Sequence, residues 1–273
     1  NLIINENLNT KFDYYWKPTI KEDQNLDERK SIKLIKNNFD KYIKKICKLD
    51  LKVGLSLSGG IDSSYLLGFF KKNIKGKIKT YSIIDSDKRY NEEAMINENL
   101  KKYKVSNTKI KLDIKNNYFK KLVQLIKYHD KPISTINYFL QSLIYEKMKK
   151  DKIKVCINGN GVDELFAGYY HYYQLYYNSL KSPKAKLKFY KLWSKKVLPF
   201  LRNPKLKELS NKKTLNTLNT FGFFKNKELK FKNKLNFSEF FFCKNKLKNK
   251  MANELFHQTV PIALLEDDHN SMA

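Results

Sequence analysis

Val53-Gly54-Leu55-Ser56-Leu57-Ser58-Gly59-Gly60-Ile61-Asp62-Ser63-Ser64-Tyr65-Leu66-Leu67-Gly68-Phe69-Phe70 changes character twice along its length. Val53 to Leu57 is a short apolar run of strand length. Ser58-Gly59-Gly60 interrupts it, and Tyr65 to Phe70 resumes the apolar residues on the far side, so the stretch reads as strand, Gly-rich turn, helix. Such a turn at the C-terminal end of a parallel strand points backbone N–H groups and the positive end of the helix at an anion. Gly59 and Gly60 permit close backbone approach. Ser58, Ser63 and Ser64 add hydroxyl donors, and the carboxylate of Asp62 can hold a divalent cation. The turn is therefore expected to bind phosphate. A Walker A loop needs a Lys before its final Ser or Thr and four residues between its glycines, and this turn has neither.

Outward from this turn the same alternation repeats. Ile32, Leu34, Ile35, Phe39, Tyr42, Ile43 and Ile46 recur at helical spacing between Asp27 and Cys47, an amphipathic helix ahead of the first strand. Ile78 to Ile84 reads as a second strand, Asn91 to Tyr103 as a helix, Thr108 to Ile114 as a strand, and Tyr118 to His129 and Tyr138 to Lys149 as helices. Lys154 to Ile157 makes a fourth strand, running into another Gly-bearing loop. Strands alternating with helices predict an α/β fold, a parallel sheet with helices on both faces. After about Ser179 the strand signal fades, and a mostly helical extension broken by Pro183, Pro199, Pro204 and Pro261 is expected. The expected organisation is a linker over 1–24, a nucleotide-binding α/β domain over 25–180 and a helical extension of it over 181–273. The aromatic cluster Phe237 to Phe242 is expected to pack as core.

Bulk properties narrow the function classes. Of 273 residues 41% are apolar and 14% aromatic, enough for a packed core and against a disordered tail. The formal net charge of +28 raises a polyanionic partner. Yet only three of the 55 basic residues are Arg (Arg29, Arg89, Arg202) and the Lys are spread among Asn and Ile throughout, so nucleic-acid binding is not expected. Cys47, Cys156 and Cys243 form no CxxC pair and sit near no His cluster, which indicates neither a disulfide framework nor a zinc site. No apolar run is long enough to span a bilayer, and the N-terminus lacks a signal-peptide layout, so a cytoplasmic setting without membrane contact is expected.

The seven residues Ser58 to Ser64 resemble the pyrophosphate loop of the ATP pyrophosphatase superfamily, whose members cleave ATP between its α and β phosphates to adenylate a substrate. The loop after the fourth strand, Asn158-Gly159-Asn160-Gly161-Val162-Asp163-Glu164-Leu165-Phe166-Ala167-Gly168-Tyr169, is similar to the Gly-Glu/Asp-Gly-x-Asp-Glu-Leu-Phe-Gly-Gly-Tyr signature of asparagine synthetases. Thr80 to Ile83 with Arg89 to Glu92, His129 to Pro132 and Thr259 to Ala273 also look like stretches of that family. The resemblance implies ATP and Mg²⁺ as cofactors, and formation of a β-aspartyl adenylate that ammonia converts to asparagine, AMP and pyrophosphate. It implies that Leu57, Ile83, Asn158 and Gly159 contact the adenosine monophosphate portion, beside Ser58, Gly59, Gly60, Ser63 and Ser64. Asp62 and Asp163 would face one another across a crevice and hold Mg²⁺.

The departures are equally specific. The family's glutaminase domain, with its N-terminal Cys, is expected to be missing from this chain, which reads as truncated at both ends, and a homodimer stays open. Asn160 stands where the family has a Glu or Asp that accepts a proton during amide formation, and an amide is no general base. His269 replaces the usual Arg after Asp268. Competing readings are a related amidotransferase acting on a sugar acid or antibiotic precursor, a tRNA-modifying pyrophosphatase-type enzyme, and an inactive nucleotide-binding remnant.

Overall fold

The computed structural model describes all residues except 1, 14, 22, 24, 47, 49–51, 75–77, 113–117 and 211–237. The chain divides into two compact units, one of Asp27–Tyr169 with Glu254–Ala273 and one of Asn1–Leu26 with Tyr170–Asn253.

The first unit carries a parallel sheet. In chain order it contains α1 (Glu28–Ile46), β3 (Val53–Ser56), α2 (Ile61–Asn73), β4 (Lys79–Ile84), α3 (Glu93–Tyr103), β5 (Ser106–Lys111), α4 (Tyr118–His129), α5 (Ile136–Lys150), β6 (Val155–Ile157) and α6 (Val162–Phe166), numbering β1 and β2 from the other unit. Strand order is β5-β4-β3-β6 and every pairing is parallel. The first strand of this unit is thus central, and the chain winds outward from it in both directions. Because side chains alternate across a strand, each face buries its own set. On one face Leu55, Leu57 and Ile84 join Ile43 of α1, Leu66, Leu67, Phe69 and Phe70 of α2 and Ile96 of α3. On the other, Tyr81 packs with Ile144 and Met148 of α5, and Ile83 and Ile110 lie against Leu125 of α4 and Phe139 and Leu143 of α5. Helices therefore cover both faces, as the alternation predicts. The helix from Tyr118 to His129 falls at its expected bounds. β5 begins two residues ahead of the expected Thr108, and the expected end at Ile114 lies outside the described residues.

Local chemistry sets several ends. Asp27 starts α1 by accepting the Lys30 N–H on Oδ1 at 2.7 Å, and Asn91 leads into α3 by accepting the Glu93 N–H at 2.8 Å. The helix after α6 that returns to this unit, α10 (Thr259–Met272), is tied to the end of α4 and the loop after it. His129 Nε2 lies 3.0 Å from Asn270 Oδ1, and Asn270 Nδ2 donates to the Tyr138 carbonyl at 2.8 Å. His129 Nδ1 faces Glu266 Oε2 at 3.3 Å with both side chains buried, while Lys131 and Ser134 reach Glu266 Oε1 at 3.1 and 3.0 Å. The expected grouping of residues 181–273 thus divides: the last helix belongs with the sheet, because its buried polar residues find their partners there.

The second unit contains α7 (Tyr170–Ser179), α8 (Pro183–Lys196), two 3₁₀ turns (Leu198–Phe200 and Pro204–Leu206) and most of α9 (Lys246–Phe256). Ser182 caps α8 by accepting the Ala185 N–H, with Pro183 at the first helical position. Its core gathers Trp193, Leu201 and Leu209 against Tyr173, Tyr177 and Phe189. Within residues 1–24, expected as a linker, β1 (Leu2–Ile4) and β2 (Thr10–Phe12) pair as an antiparallel hairpin whose turn is closed by Asn5 Oδ1 accepting from the N–H of Asn7 and Asn9. All six strand residues are exposed, so no alternation of apolar and polar residues marks them. The aromatic cluster is not core throughout: Phe240 is 57% and Phe241 78% exposed, while Phe237 lies outside the described residues.

Candidate active site

The sheet unit puts two loops side by side at the C-terminal ends of adjacent parallel strands, β3 and β6. After β3 the chain turns at Leu57, whose N–H donates to the Tyr81 carbonyl at 2.8 Å and whose carbonyl accepts from Ser82 Oγ at 2.6 Å. Gly60 is the N-cap of α2, in an extended conformation and with no side-chain hydrogen bond capping the helix. The opening N–H groups of α2 are thus left for an external acceptor, the arrangement that suits an anion. Serines brace the turn: Ser58 N–H donates to Ser63 Oγ at 3.2 Å, Ser63 Oγ to the Ser58 carbonyl at 3.0 Å, and Ser64 Oγ to the Gly60 carbonyl at 2.7 Å. The three hydroxyls expected to face phosphate all serve the backbone here, that of Ser58 by accepting the Gly60 N–H at 3.2 Å. Glu92, just ahead of α3, takes the Gly59 N–H on Oε2 at 2.9 Å, and so sets a carboxylate on a loop read as an anion site.

The second loop comes against the first at Gly159. A Cβ there would lie 3.3 Å from Asp62 Cβ and 3.8 Å from the Ser63 nitrogen, so a bare Cα allows the close approach. Gly161, at φ of 90°, supplies the left-handed residue that starts α6. These contacts carry Asp163 into the neighbourhood of Asp62. Burial pushes the Asp163 carboxyl above its ordinary range, with the charges of Asp62 and Glu164 adding to it, and burial alone raises Asp62. Neither carboxylate is paired with a cationic side chain among the described residues. Two crowded, unpaired carboxylates fit a divalent cation. Among the described residues no third His, Cys, Asp or Glu completes a cluster, so a cation there would take most of its ligands from water and phosphate oxygens, the habit of Mg²⁺. Next to Asp163, the buried Glu164 accepts the Tyr169 hydroxyl at 2.7 Å, and burial followed by this bond pushes the phenol up.

Leu57 and Ile83 differ from the rest of the expected set. Both lie near strand ends, but their side chains pack into opposite faces of the core, which leaves backbone as what they can offer a ligand. Asn158 and Asn160 are engaged in a way no local pattern announced. Asn158 Nδ2 and Asn160 Nδ2 both donate to Asp267 Oδ2 on α10, at 2.9 and 2.6 Å. Asp267 and Glu92 are the polar groups that the sequence reading missed, and they contact the loops from 107 and 33 residues away in the chain.

A parallel α/β sheet with an uncapped, Gly-rich strand-to-helix turn, carrying Asp62 on that turn and Asp163 after the neighbouring loop, is the arrangement that suits an anion and a cation together. Comparison with known proteins carries this further. The chain belongs to the asparagine synthase family, whose sequence model matches residues 34–273, and with it to a family of ATP-dependent amidating ligases. It is 27% identical over 158 residues to "Asparagine synthetase [glutamine-hydrolyzing] 1" of Bacillus subtilis (strain 168), a match covering 58% of this chain and 24% of that protein. The chain thus matches about a quarter of the length of that relative. Solved structures with likeness include an NH3-dependent NAD synthetase from Campylobacter jejuni subsp. jejuni NCTC 11168, at 19% identity and a TM-score of 0.36, covering 64% of this chain and 89% of that one. Another is the U34-tRNA thiolase NcsA from Methanococcus maripaludis, at 16% identity and a TM-score of 0.32, covering 56% of each chain. No helix among the described residues is long and apolar enough to cross a membrane.

Proposed function

We propose that this chain is an ATP-dependent amide ligase that adenylates the side-chain carboxylate of aspartate and amidates it with ammonia, giving asparagine, AMP and pyrophosphate. The observation that carries the reading is the juxtaposition of Asp62 with Asp163 beside the uncapped N-terminus of α2, at the ends of adjacent parallel strands. The residues Gly60 to Ser64 hold the phosphates against the helix end, and Gly59 keeps the backbone close. Asp62 and Asp163 would hold Mg²⁺, which when bound would neutralise phosphate charge. Backbone at Leu57, Ile83 and Gly159, with the Asn158 side chain, lines the nucleoside portion. Ammonia comes from solution or from glutamine hydrolysis of the kind named for the Bacillus relative. The chain's contribution to rate is positioning: the acceptor carboxylate is kept in line with the α-phosphate and water is kept out.

The test is carboxylate-dependent ATP–pyrophosphate exchange, followed by product analysis with ammonium present. Exchange stimulated by aspartate, with AMP and asparagine formed in equal amounts, is the expected result. Exchange stimulated by a different carboxylate would redirect the substrate assignment and keep the chemistry. ADP and orthophosphate as products would contradict the proposed bond cleavage.

A further inference from the structure

Amide formation from an activated carboxyl releases a proton. The attacking nitrogen forms its bond to carbon with its lone pair, the carbon–oxygen bond to AMP breaks with the electron pair leaving on AMP, and one N–H proton must go to a base. Asn160 on the second loop is an amide and cannot take it. Asp62 and Asp163 are committed to the cation in the proposed reading, and Glu164 is buried and holds the Tyr169 hydroxyl. Another carboxylate touches this loop at its start. Asp267 is brought there by α10, with Oδ2 clamped between Asn158 Nδ2 at 2.9 Å and Asn160 Nδ2 at 2.6 Å. No ion pair to a Lys or Arg holds it among the described residues.

We propose that Asp267 accepts the proton lost by the nitrogen nucleophile, standing in on helix α10 for the base that the loop lacks at Asn160. The assignment rests on the amide-ligase reading and adds its proton acceptor. Two amide donors on one oxygen fix the carboxylate's position, and Asp267 itself is only half-buried. The surroundings favour a strong base. Burial raises the Asp267 carboxyl above its ordinary range, against the lowering effect of bonds from Asn158, Tyr145 and Asn160. Among the described residues Tyr138 and Tyr145 on α5, Cys156 on β6 and its neighbour Glu266 act on it, Asp268 and His269 follow it on α10, and the nearby ammonium of Lys131 is bonded to Glu266. Helix α10 is in turn held by the buried contacts of Glu266 and Asn270 with His129, so the carboxylate is delivered by a braced element.

The test separates the two half-reactions in the full-length protein. Asp267→Asn keeps the shape and removes the base; it is expected to slow amide formation from ammonium by about 100-fold, the lower end of general-base effects, with exchange lowered by no more than about twofold. Moving the carboxylate onto the loop, in the double variant Asn160→Asp with Asp267→Asn, is expected to recover at least about tenfold of that loss. Exchange and amide formation falling together in Asp267→Asn would make Asp267 a brace for the loop and overturn the assignment. Unchanged amide formation would also overturn it. A wild-type protein showing exchange with no carboxylate would remove the amide-ligase reading itself, a failure distinct from either of these.

Discussion

Replacing Asp163 with asparagine should improve the stability of the free protein slightly and abolish the stabilisation that nucleotide confers. The first half follows from the sign of the perturbation at this carboxyl. Its affinity for a proton is raised in the folded chain by burial and by the charges of Asp62 and Glu164. A raised carboxyl contributes stability below the ordinary carboxylate range and loses it as pH rises through that range to the folded value. At neutral pH the ionised group is therefore a burden that asparagine lacks. Asp163 is only partly buried in the free protein, so the repulsion is screened and the relief is about 0.2–1 kcal/mol, or roughly 1–3 °C in melting temperature. The second half follows from mass action. Magnesium and ATP at 100 times their dissociation constant add about 2.7 kcal/mol, roughly 5–10 °C for a chain of this size. Losing one of two carboxylate ligands should weaken the complex about 100-fold or more, which leaves about 0.4 kcal/mol and a rise of about 1 °C. Calorimetric melts of both proteins, with and without magnesium and ATP and with a chelator control, read all four numbers. A free variant that melts more than about 5 °C lower, with its nucleotide increment intact, would refute the reasoning: Asp163 would then be a structural group and the nucleotide site would lie elsewhere.

Two further perturbations test the framework that holds the site. Ala167 closes α6 in a left-handed conformation, at φ of 56° and ψ of 44°, which costs an L-residue about 1–2 kcal/mol. Ala167→Gly releases that strain against a gain in unfolded-chain entropy of about 0.4–1 kcal/mol, so a net stabilisation of about 0.5–1 kcal/mol is expected in urea unfolding. A loss would mean that the Ala167 methyl makes contacts worth more than the strain. Glu266→Ala should cost about 1–3 kcal/mol, because it takes a buried acceptor from Ser134 and a buried neighbour from His129. Lys131→Ala, whose ammonium bonds the same carboxylate from a one-third exposed position, should cost under about 1 kcal/mol. Equal losses in the two variants would contradict a buried His129–Glu266 contact as the main tie between α4 and α10.

What could be read ahead of the structure was what local pattern encodes. Val53 to Phe70 declares strand, turn and helix through composition alone, and the parallel sheet follows from repeating that unit. The hairpin of residues 2–12 escaped because all its strand residues are exposed, so burial leaves no period-2 trace. Phe240 and Phe241 misled for the complementary reason, since apolar character marks a tendency to bury and says nothing of whether a partner surface is there. Leu57 and Ile83 lie near strand ends with side chains in the core, a direction that the local sequence does not announce.

The site itself divides along the same line. The turn at Ser58 to Ser64 and the loop at Asn158 to Tyr169 are each contiguous, so their glycines and carboxylates stand out in the sequence. Asp267 sits among ordinary helical residues and acquires meaning only when α10 packs against α5 and meets the second loop. A sequence reading of Asn160 alone suggests a site that has lost its base. The fold changes that inference, because the same amide that cannot accept a proton donates to a carboxylate that can. With Asp267 as that base, the proton acceptor comes from α10 and not from position 160. The two positions then act as a pair, so that Asn160→Asp in an otherwise unchanged chain should set two carboxylates against each other and slow amide formation, whereas the double variant should restore it.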